Sequence, residues 1–340
     1  MLALAWTLSI GWFVLAVLAV LAFTSAVTST KRAGLAVAYD ALPYLLGVSW
    51  LVLGLAILEG SWLLAAAAGA LCVYHLWLIV PRFMRARTPH WARSAPRLRV
   101  VVSNVFTENR TPEVLAGLLL EADGDVMVIT EWNAAFAAAF EAAGGGESHP
   151  HRLVDPDDHS EYAVCIASKQ PLGDGSAVEQ IGQLTLTRAV VVCGSRPLQL
   201  IGVIPNAVVD PGGFSIWKSQ IESLIGHLPM LDRPIVVAGD FNTTRFRPEF
   251  KALLKAGFVD AHDALGKGLS TSFRLATDGV LAGPGTVIRL DHALLSKAVC
   301  ALDAHDLDAG GSDHLPFVMT LAVRQQRDHG RSAAGPGARG

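Results

Sequence analysis

Charged side chains are missing from the first 30 of 340 residues, and only Lys31, Arg32, Asp40 and Glu59 interrupt the apolar run before Arg82. That lack excludes an ordinary solvated domain at the N-terminus. Cysteine is scarce as well: Cys72, Cys165, Cys193 and Cys300 include no CxxC pair, which removes thiolate zinc and dithiol redox motifs. Free buried thiols are expected, with a Cys165–Cys193 bridge as the alternative. Positive charge is also short where it would matter. From Leu98 to Gln325 the chain carries 17 Lys and Arg against 27 Asp and Glu. A domain that grips duplex nucleic acid by charge needs a basic stripe, so this balance argues against generic nucleic-acid binding. It fits a small phosphorylated substrate bound through metal ions, whose charge offsets the carboxylates. No repeat of fixed period is present.

The N-terminal third reads as a transmembrane anchor of about three helices over residues 1–81. Crossing the hydrocarbon core takes roughly 20 apolar residues, and Trp6–Phe23, Ala41–Leu58 and Ser61–Val80 are the candidates. Glu59-Gly60 reads as the turn between the last two, since a carboxylate is costly at the bilayer centre. Trp50, Trp62, Tyr74 and Trp77 stand near the ends, where amphipathic rings prefer the interface. A basic juxtamembrane linker follows at 82–96, and Arg82, Arg85, Arg87, Arg93 and Arg97 favour a cytoplasmic C-terminal domain or rest on anionic head groups. Three spans are expected to set Lys31-Arg32 on the side opposite that domain; two spans would put loop and domain together. An integral protein of a bacterial plasma membrane is expected, with the face of the domain open.

Residues 97–325 have globular composition, and 326–340 a polar tail expected to be disordered. Apolar runs LRVVVSN, DVMVIT, YAVCIAS, LTRAVVVCG, LQLIGVI, PIVVAGD, VIRLDHALL and PFVMTLAV read as strands. Helical spacing marks PEVLAGLLLEA, AAFAAAFEAA, SIWKSQIESLIGHL and PEFKALLKAGF. Strand-only stretches alternate with strand–helix units, which suggests two packed sheets with flanking helices rather than one parallel sheet.

Several of these runs end in chemistry-bearing residues: Asn104, Glu131, Asp240 with Asn242, Asp291 at the end of VIRL, and Asp313-His314. Gly239 lets the backbone turn so that Asp240 emerges at the sheet edge. A carboxylate beside an amide can take a proton from water while the amide holds a phosphate oxygen. An imidazole oriented by Asp291 can stabilise developing charge, leaving Asp313 for a metal. Glu131 with Asn104 offers hard oxygen ligands suited to Mg²⁺ or Mn²⁺. His149, His151 and His159 lack zinc spacing.

Taken in this order, the stretches resemble the endonuclease/exonuclease/phosphatase superfamily, which includes exonuclease III-like and DNase I-like nucleases, neutral sphingomyelinases and inositol polyphosphate 5-phosphatases. AGDFN, RLDHALLS and GSDHLP carry the resemblance, with YAVCIASKQPL beside them, across about Arg97 to Val323. It implies an α/β (α+β) four-layer α/β/β/α sandwich of two packed mixed β-sheets with a metal site at one rim. Glu131 is then the principal ligand of Mg²⁺ or Mn²⁺, with Asn104 in support and Asp313 a ligand or its neighbour. Asp240 orients or deprotonates water, Asn242 steadies it or the phosphate, and His314 paired with Asp291 stabilises the transition state.

Two positions depart from the family pattern. Pro205-Asn206-Ala207 resembles the segment written Tyr-x-Pro-Asn in exonuclease III-like members, so Asn206 is carried over as a phosphate-contacting amide, but Val203 stands at the tyrosine position. No histidine occurs from Val190 to Gly226, so the leaving group lacks its usual proton donor unless metal-bound water or an arginine such as Arg188 or Arg245 assists. Phe106 occupies a position where some nucleases place an acid. Arg245, Arg247 and Arg274 are further candidates for substrate contact. The expectation is an integral-membrane phosphoesterase acting on a lipid-linked or small phosphate ester; a nuclease or a catalytically weak scaffold are the alternatives.

Overall fold

The computed structural model describes residues 2–155, 162–208, 210–231, 234–275 and 285–325, with side chains from Ser9 onward. His159 and the 326–340 tail lie outside the described residues. Five helices open the chain: α1 (Leu2–Val27), α2 (Ala33–Asp40), α3 (Leu42–Leu46), α4 (Val48–Leu58) and α5 (Trp62–Ile79). The remaining helices are α6 (Pro112–Glu121), α7 (Ala134–Ala142), α8 (Gly145–Ser148), α9 (Pro211–His227), α10 (Pro248–Lys255) and α11 (Ala261–Ala264).

Among the described residues twelve strands form two six-stranded sheets. The first runs β11 (Val299–Asp306), β12 (Phe317–Val323), β1 (Arg97–Asn104), β2 (Val126–Thr130), β4 (Val164–Ser168), β3 (His151–Val154). The second runs β5 (Ala177–Ile181), β6 (Leu184–Cys193), β7 (Arg196–Val203), β8 (Ile235–Asp240), β10 (Asp291–Leu295), β9 (Val259–Asp260). Each sheet holds one parallel pair, β1–β2 and β7–β8, joined by crossovers that carry α6 and α9; the other pairings are antiparallel. Both sheets are therefore mixed, as expected.

Alternating side chains explain the layers. Val100, Val102, Val128, Leu200, Val236 and Ala293 meet between the sheets. Val101, Met127 and Ile129 point outward onto α6 and α7, while Ile201, Val203 and Val237 point outward onto α9 and α10. Asp210 caps α9, its Oδ1 accepting from the amides of Gly212 and Gly213, with Pro211 at the first helical position. Trp217 on α9 donates its Nε1 to Phe241 O at 3.0 Å and so pins that helix beside the end of β8.

The sequence reading needs three corrections. VIRLDHALL is not one strand: β10 starts at Asp291, and only Ile288 before it makes an isolated bridge, to Phe273. The weakly apolar β3, β5 and β11 had no clear signal, because they are edge or near-edge strands with part of one face exposed. All four cysteines are free, and burial pushes the Cys165 thiol up to about 12.

The third correction concerns the direction of the N-terminal helices. Ser9–Val27 and Trp62–Phe83 are long and apolar enough to cross a membrane, and α2 with α3–α4 passes the same test only as a pair bent by 63°, a broken span or a re-entrant loop. The C-terminal end of α1 docks on the sandwich. Thr30 donates its amide and hydroxyl to the Glu249 carboxylate at 2.6 and 2.7 Å, Lys218 reaches Thr30 O, and Lys251 reaches Ser25 O. The C-terminal end of α5 docks there too, through Arg82 to Asp263 at 2.8 Å. Thus α1 and α5 run the same way and α4 carries the chain back between them. Lys31-Arg32 lies at the sandwich end, not across from it as the sequence reading had it.

A buried ion pair joins the two parts. Asp40, at the end of α2, accepts from Thr244 N and Oγ1 and from Arg247 Nε at 3.3 Å, and pairs with Arg247 Nη2. Removing one member of such a pair leaves the other charge buried and uncompensated. Asp40→Ala is therefore expected to destabilise the full chain by about 3–5 kcal/mol, read as a lowered unfolding midpoint in detergent; an unchanged midpoint would rule out this docking.

Candidate catalytic site at the strand rim

Strand direction decides which residues meet. The C-terminal ends of parallel β1 and β2 carry Asn104 and, one residue on, Glu131; the C-terminal end of β8 carries Asp240. Strand β10 runs antiparallel to β8 and begins with Asp291, directly opposite Asp240 in the register. Strand β12 runs antiparallel to β1, and His314 precedes it by three residues. Strands from both sheets therefore deliver these groups to one rim.

Hydrogen bonds fix the cluster. Asn104 Nδ2 donates to Glu131 Oε1 at 2.9 Å and to Asp240 Oδ2 at 3.1 Å, while its Oδ1 accepts from Phe106 N–H. Thr107 donates its amide and hydroxyl to Glu131 Oε2 at 2.7 and 3.0 Å. Asp240 Oδ1 accepts from Asn242 N–H, and Asn242 Nδ2 donates to Pro205 O. Asp291 Oδ2 accepts from Ser272 Oγ at 2.6 Å and bonds His314 Nδ1 at 2.7 Å. His314 Nε2 lies 3.7 Å from Asp240 Oδ2 and 3.9 Å from Asp313 Oδ1.

The backbone here is unusual. Phe106, Glu131 and Asn242 adopt left-handed φ values of 58°, 57° and 50°, a conformation disfavoured for non-glycine residues and concentrated at functional sites. Gly239 has φ 141°, and a Cβ there would fall 2.1 Å from Val203 O. Only glycine lets β8 approach β7 this closely just before Asp240.

Burial and mutual charge push the titrating groups apart. Burial raises the carboxyl of Asp240, His314 opposes that, Asp291 adds to it, and the result is about 7. Burial would lower His314, but the charges of Asp291 and Asp240 and the Asp291 hydrogen bond overrule it and hold the imidazole at about 10. Asp291 is correspondingly lowered, since His314's charge and hydrogen bond outweigh the burial that works to raise it. Burial also lifts Asp313, to about 6. Groups driven apart in this way mark acid–base assignments.

Could the set hold a divalent metal? Asp240, Asp291 and His314 each offer a ligand atom within 4.8 Å of the others. In that trio His314 Nδ1 is already tied to Asp291 Oδ2, which also accepts from Ser272 Oγ. The better fit lies beside it, where Glu131 and Asp313 supply hard oxygens. Asp313 Oδ1 is buried without a hydrogen-bond partner, the kind of atom a cation would satisfy.

Other candidates sit off this cluster. Asn206 lines a neighbouring pocket of about 170 Å³, where Gln220 engages both its amide N–H and its Oδ1. Arg188 pairs with Glu179 on β5, and Arg245 is buried against Asp263; neither lines the main cavity. Both are paired with carboxylates away from the cluster, Glu179 and Asp263. Arg274 donates its backbone amide to Asp313 O at 2.9 Å. Val203 is fully buried under α9. His149 bonds Gly124 O and Ser148, a structural role.

Sequence reasoning missed Thr107 and Ser272, which no motif distinguishes from ordinary loop residues. It also missed the walls of the main cavity, about 980 Å³, where Asp240, Asp313 and His314 meet Val37, Tyr44 and Arg247.

Residues 102–314 match the family described as Endonuclease/Exonuclease/phosphatase family. The chain belongs to that family. Its members are hydrolases of phosphate esters. Among solved structures the chain is similar to an endonuclease/exonuclease/phosphatase from Beutenbergia cavernae DSM 12333, at 16% identity and TM-score 0.53 over 67% of this chain and 72% of that one. It is similar to D. rerio TDP2 complexed with single strand DNA product, at 18% and 0.54 over 67% and 99%. An AP endonuclease from Archaeoglobus fulgidus matches at 19% and 0.53 over 65% and 98%. At these identities the likenesses establish the fold. No curated protein matched by sequence.

The His314–Asp291 pairing yields a direct test. Asp291→Asn removes the charge and hydrogen bond that raise the imidazole, so in metal-free protein the His314 pKa is expected to fall from about 10, read from the pH dependence of its ring NMR shifts. A titration unchanged from wild type would contradict the pairing.

Proposed function

We propose that this chain is a membrane-bound, divalent-metal-dependent phosphoester hydrolase. One observation carries the reading: His314 is held by the buried carboxylate of Asp291 at 2.7 Å and stands 3.7 Å from a second buried carboxylate, Asp240, in a cavity that Glu131 and Asp313 also line. In this reading Asp240 accepts a proton from water as its oxygen bonds to phosphorus. The ester P–O bond breaks, and its electron pair leaves on the alcohol oxygen, which takes a proton from solvent because Val203 has none to give. His314 stabilises charge gathering on the phosphate oxygens, and Asn242 orients water or phosphate. Mg²⁺ or Mn²⁺ held by Glu131, Asn104 and Asp313 would offset the substrate's negative charge.

The membrane assignment rests on the exterior of the N-terminal helices. Phe13, Leu51, Leu58, Trp62, Leu63 and Trp77 are all exposed, and so large an apolar surface fits lipid rather than water. In our reading residues 1–81 are the anchor, 82–96 the linker and 97–325 the catalytic domain. Lys31, Arg32 and the arginines after α5 then share one face, which favours the cytoplasmic side.

A second reading is nuclease activity, favoured by the similarity to D. rerio TDP2 complexed with single strand DNA product and to an AP endonuclease. The acidic balance of the domain weighs against it. Full-length protein assayed with Mg²⁺ or Mn²⁺ against phosphate esters and against plasmid separates the two. Hydrolysis is expected for the esters, abolished by EDTA and restored by added metal, with Asp240→Ala or His314→Ala lowering kcat by about 100-fold or more. Undiminished turnover in either variant would refute the assignment; plasmid nicking alone would transfer it to the nuclease reading.

A further inference from the structure

The main cavity is not built by the sandwich alone. Val37, Asp40, Ala41 and Tyr44 from α2 and α3 line it together with Asp240 and His314. Tyr44 also donates its hydroxyl to Val287 O at 3.0 Å, so α3 touches the loop that forms another part of the wall. The volume, about 980 Å³, stands at the top of the roughly 300–1,000 Å³ range of small-molecule sites and far exceeds what a phosphate group needs. Away from the catalytic cluster the lining is largely apolar, with Leu269, Phe273, Leu275, Ile288 and Leu290.

Three features say what such a space accepts. Val37 and Leu275 are 60% and 62% exposed although both line the cavity, so its mouth is apolar. That mouth adjoins α2 and α3, at the end of the helical region where Leu42 and Leu46 pack with Leu18, Ala22 and Phe246. This is the level at which the apolar belt of α1, α4 and α5 meets the sandwich. Thirdly, Arg247 lines the cavity with its Nη1 buried and unpartnered, while Asp40 and the face of Trp217, 4.5 Å away, hold the rest of its guanidinium. An orphaned cationic donor beside a catalytic cluster fits an anionic head group.

We propose that the N-terminal helices complete the substrate site, which takes a lipid phosphate ester: its phosphate lies at Asp240 and His314, its head group within reach of Arg247, and its hydrocarbon between Val37 and Tyr44 on one side and Leu269, Phe273 and Ile288 on the other. This rests on the phosphoesterase reading and adds to it the substrate class and the part played by α2 and α3. The hydrocarbon enters sideways from the leaflet, so the ester need not leave the bilayer to reach the catalytic carboxylate.

Full-length protein in detergent micelles with Mg²⁺ is to be assayed on hexadecyl and butyl phosphate esters of the same head group. The ratio of kcat/KM, long over short chain, is expected to fall about tenfold in Val37→Glu and in Leu275→Glu, because an ionised group in the apolar path rejects the chain. Both positions are exposed, so neither change threatens folding. A wild-type enzyme indifferent to chain length, or a ratio unmoved in both variants, overturns the inference while leaving the phosphoesterase reading intact. If no ester turns over, that reading falls, and the site is judged by crosslinking metal-free protein with a diazirine-bearing hexadecyl phosphonate. Labelling of Phe273 or Ile288, reduced in Val37→Glu, supports the site; labelling confined to α1, α4 and α5 refutes it.

Discussion

Two buried carboxylates placed face to face govern this molecule. The β8–β10 register sets Asp240 opposite Asp291, and like charges so close cannot both ionise without a cation between them. His314 is that cation, 2.7 Å from one carboxylate and 3.7 Å from the other. Burial works against the proton of His314, but the two carboxylates overrule it; burial above all raises Asp240, with His314 opposing and Asp291 adding to the shift. With Glu131 and Asp313 added, one imidazolium faces four acids. The surplus negative charge makes the rim attractive to a divalent ion and hostile to a phosphate that arrives without one.

Much of this was legible in the chain because a strand that runs apolar and then turns polar must end at a sheet edge. Asn104, Glu131 and Asp240 follow that rule. Asp291 and His314 do not: Asp291 begins β10 and His314 precedes β12, and only antiparallel pairing with β8 and β1 brings them to the same rim. The partners that set the site were not legible for a different reason. Asp40 lies 207 residues from Arg247, and nothing local in either sequence neighbourhood announces the contact. The same holds for Ser272 on Asp291 and Thr107 on Glu131. Arg188 and Arg245 looked available because a sequence cannot show that Glu179 and Asp263 already hold them.

The N-terminal helices tie the chemistry to its setting. Docking through Thr30–Glu249, Asp40–Arg247 and Arg82–Asp263 fixes their orientation on the sandwich at three separate points. Each contact is polar and buried or half-buried, so it specifies geometry more strictly than apolar packing would. A flexible tether would leave the rim free to face any direction. These contacts instead hold the cavity mouth at the level of the apolar belt, which is why the exterior of α1, α4 and α5 and the interior of the cavity belong to one physical argument.

The account stands on water attacking phosphorus at the Asp240–His314 pair. Hydrolysis of a phosphate ester by the full-length protein in ¹⁸O-enriched water with Mg²⁺ tests this most directly. One heavy oxygen is expected in the phosphate product and none in the released alcohol. Label in the alcohol, or a phosphate product without it, would contradict the mechanism.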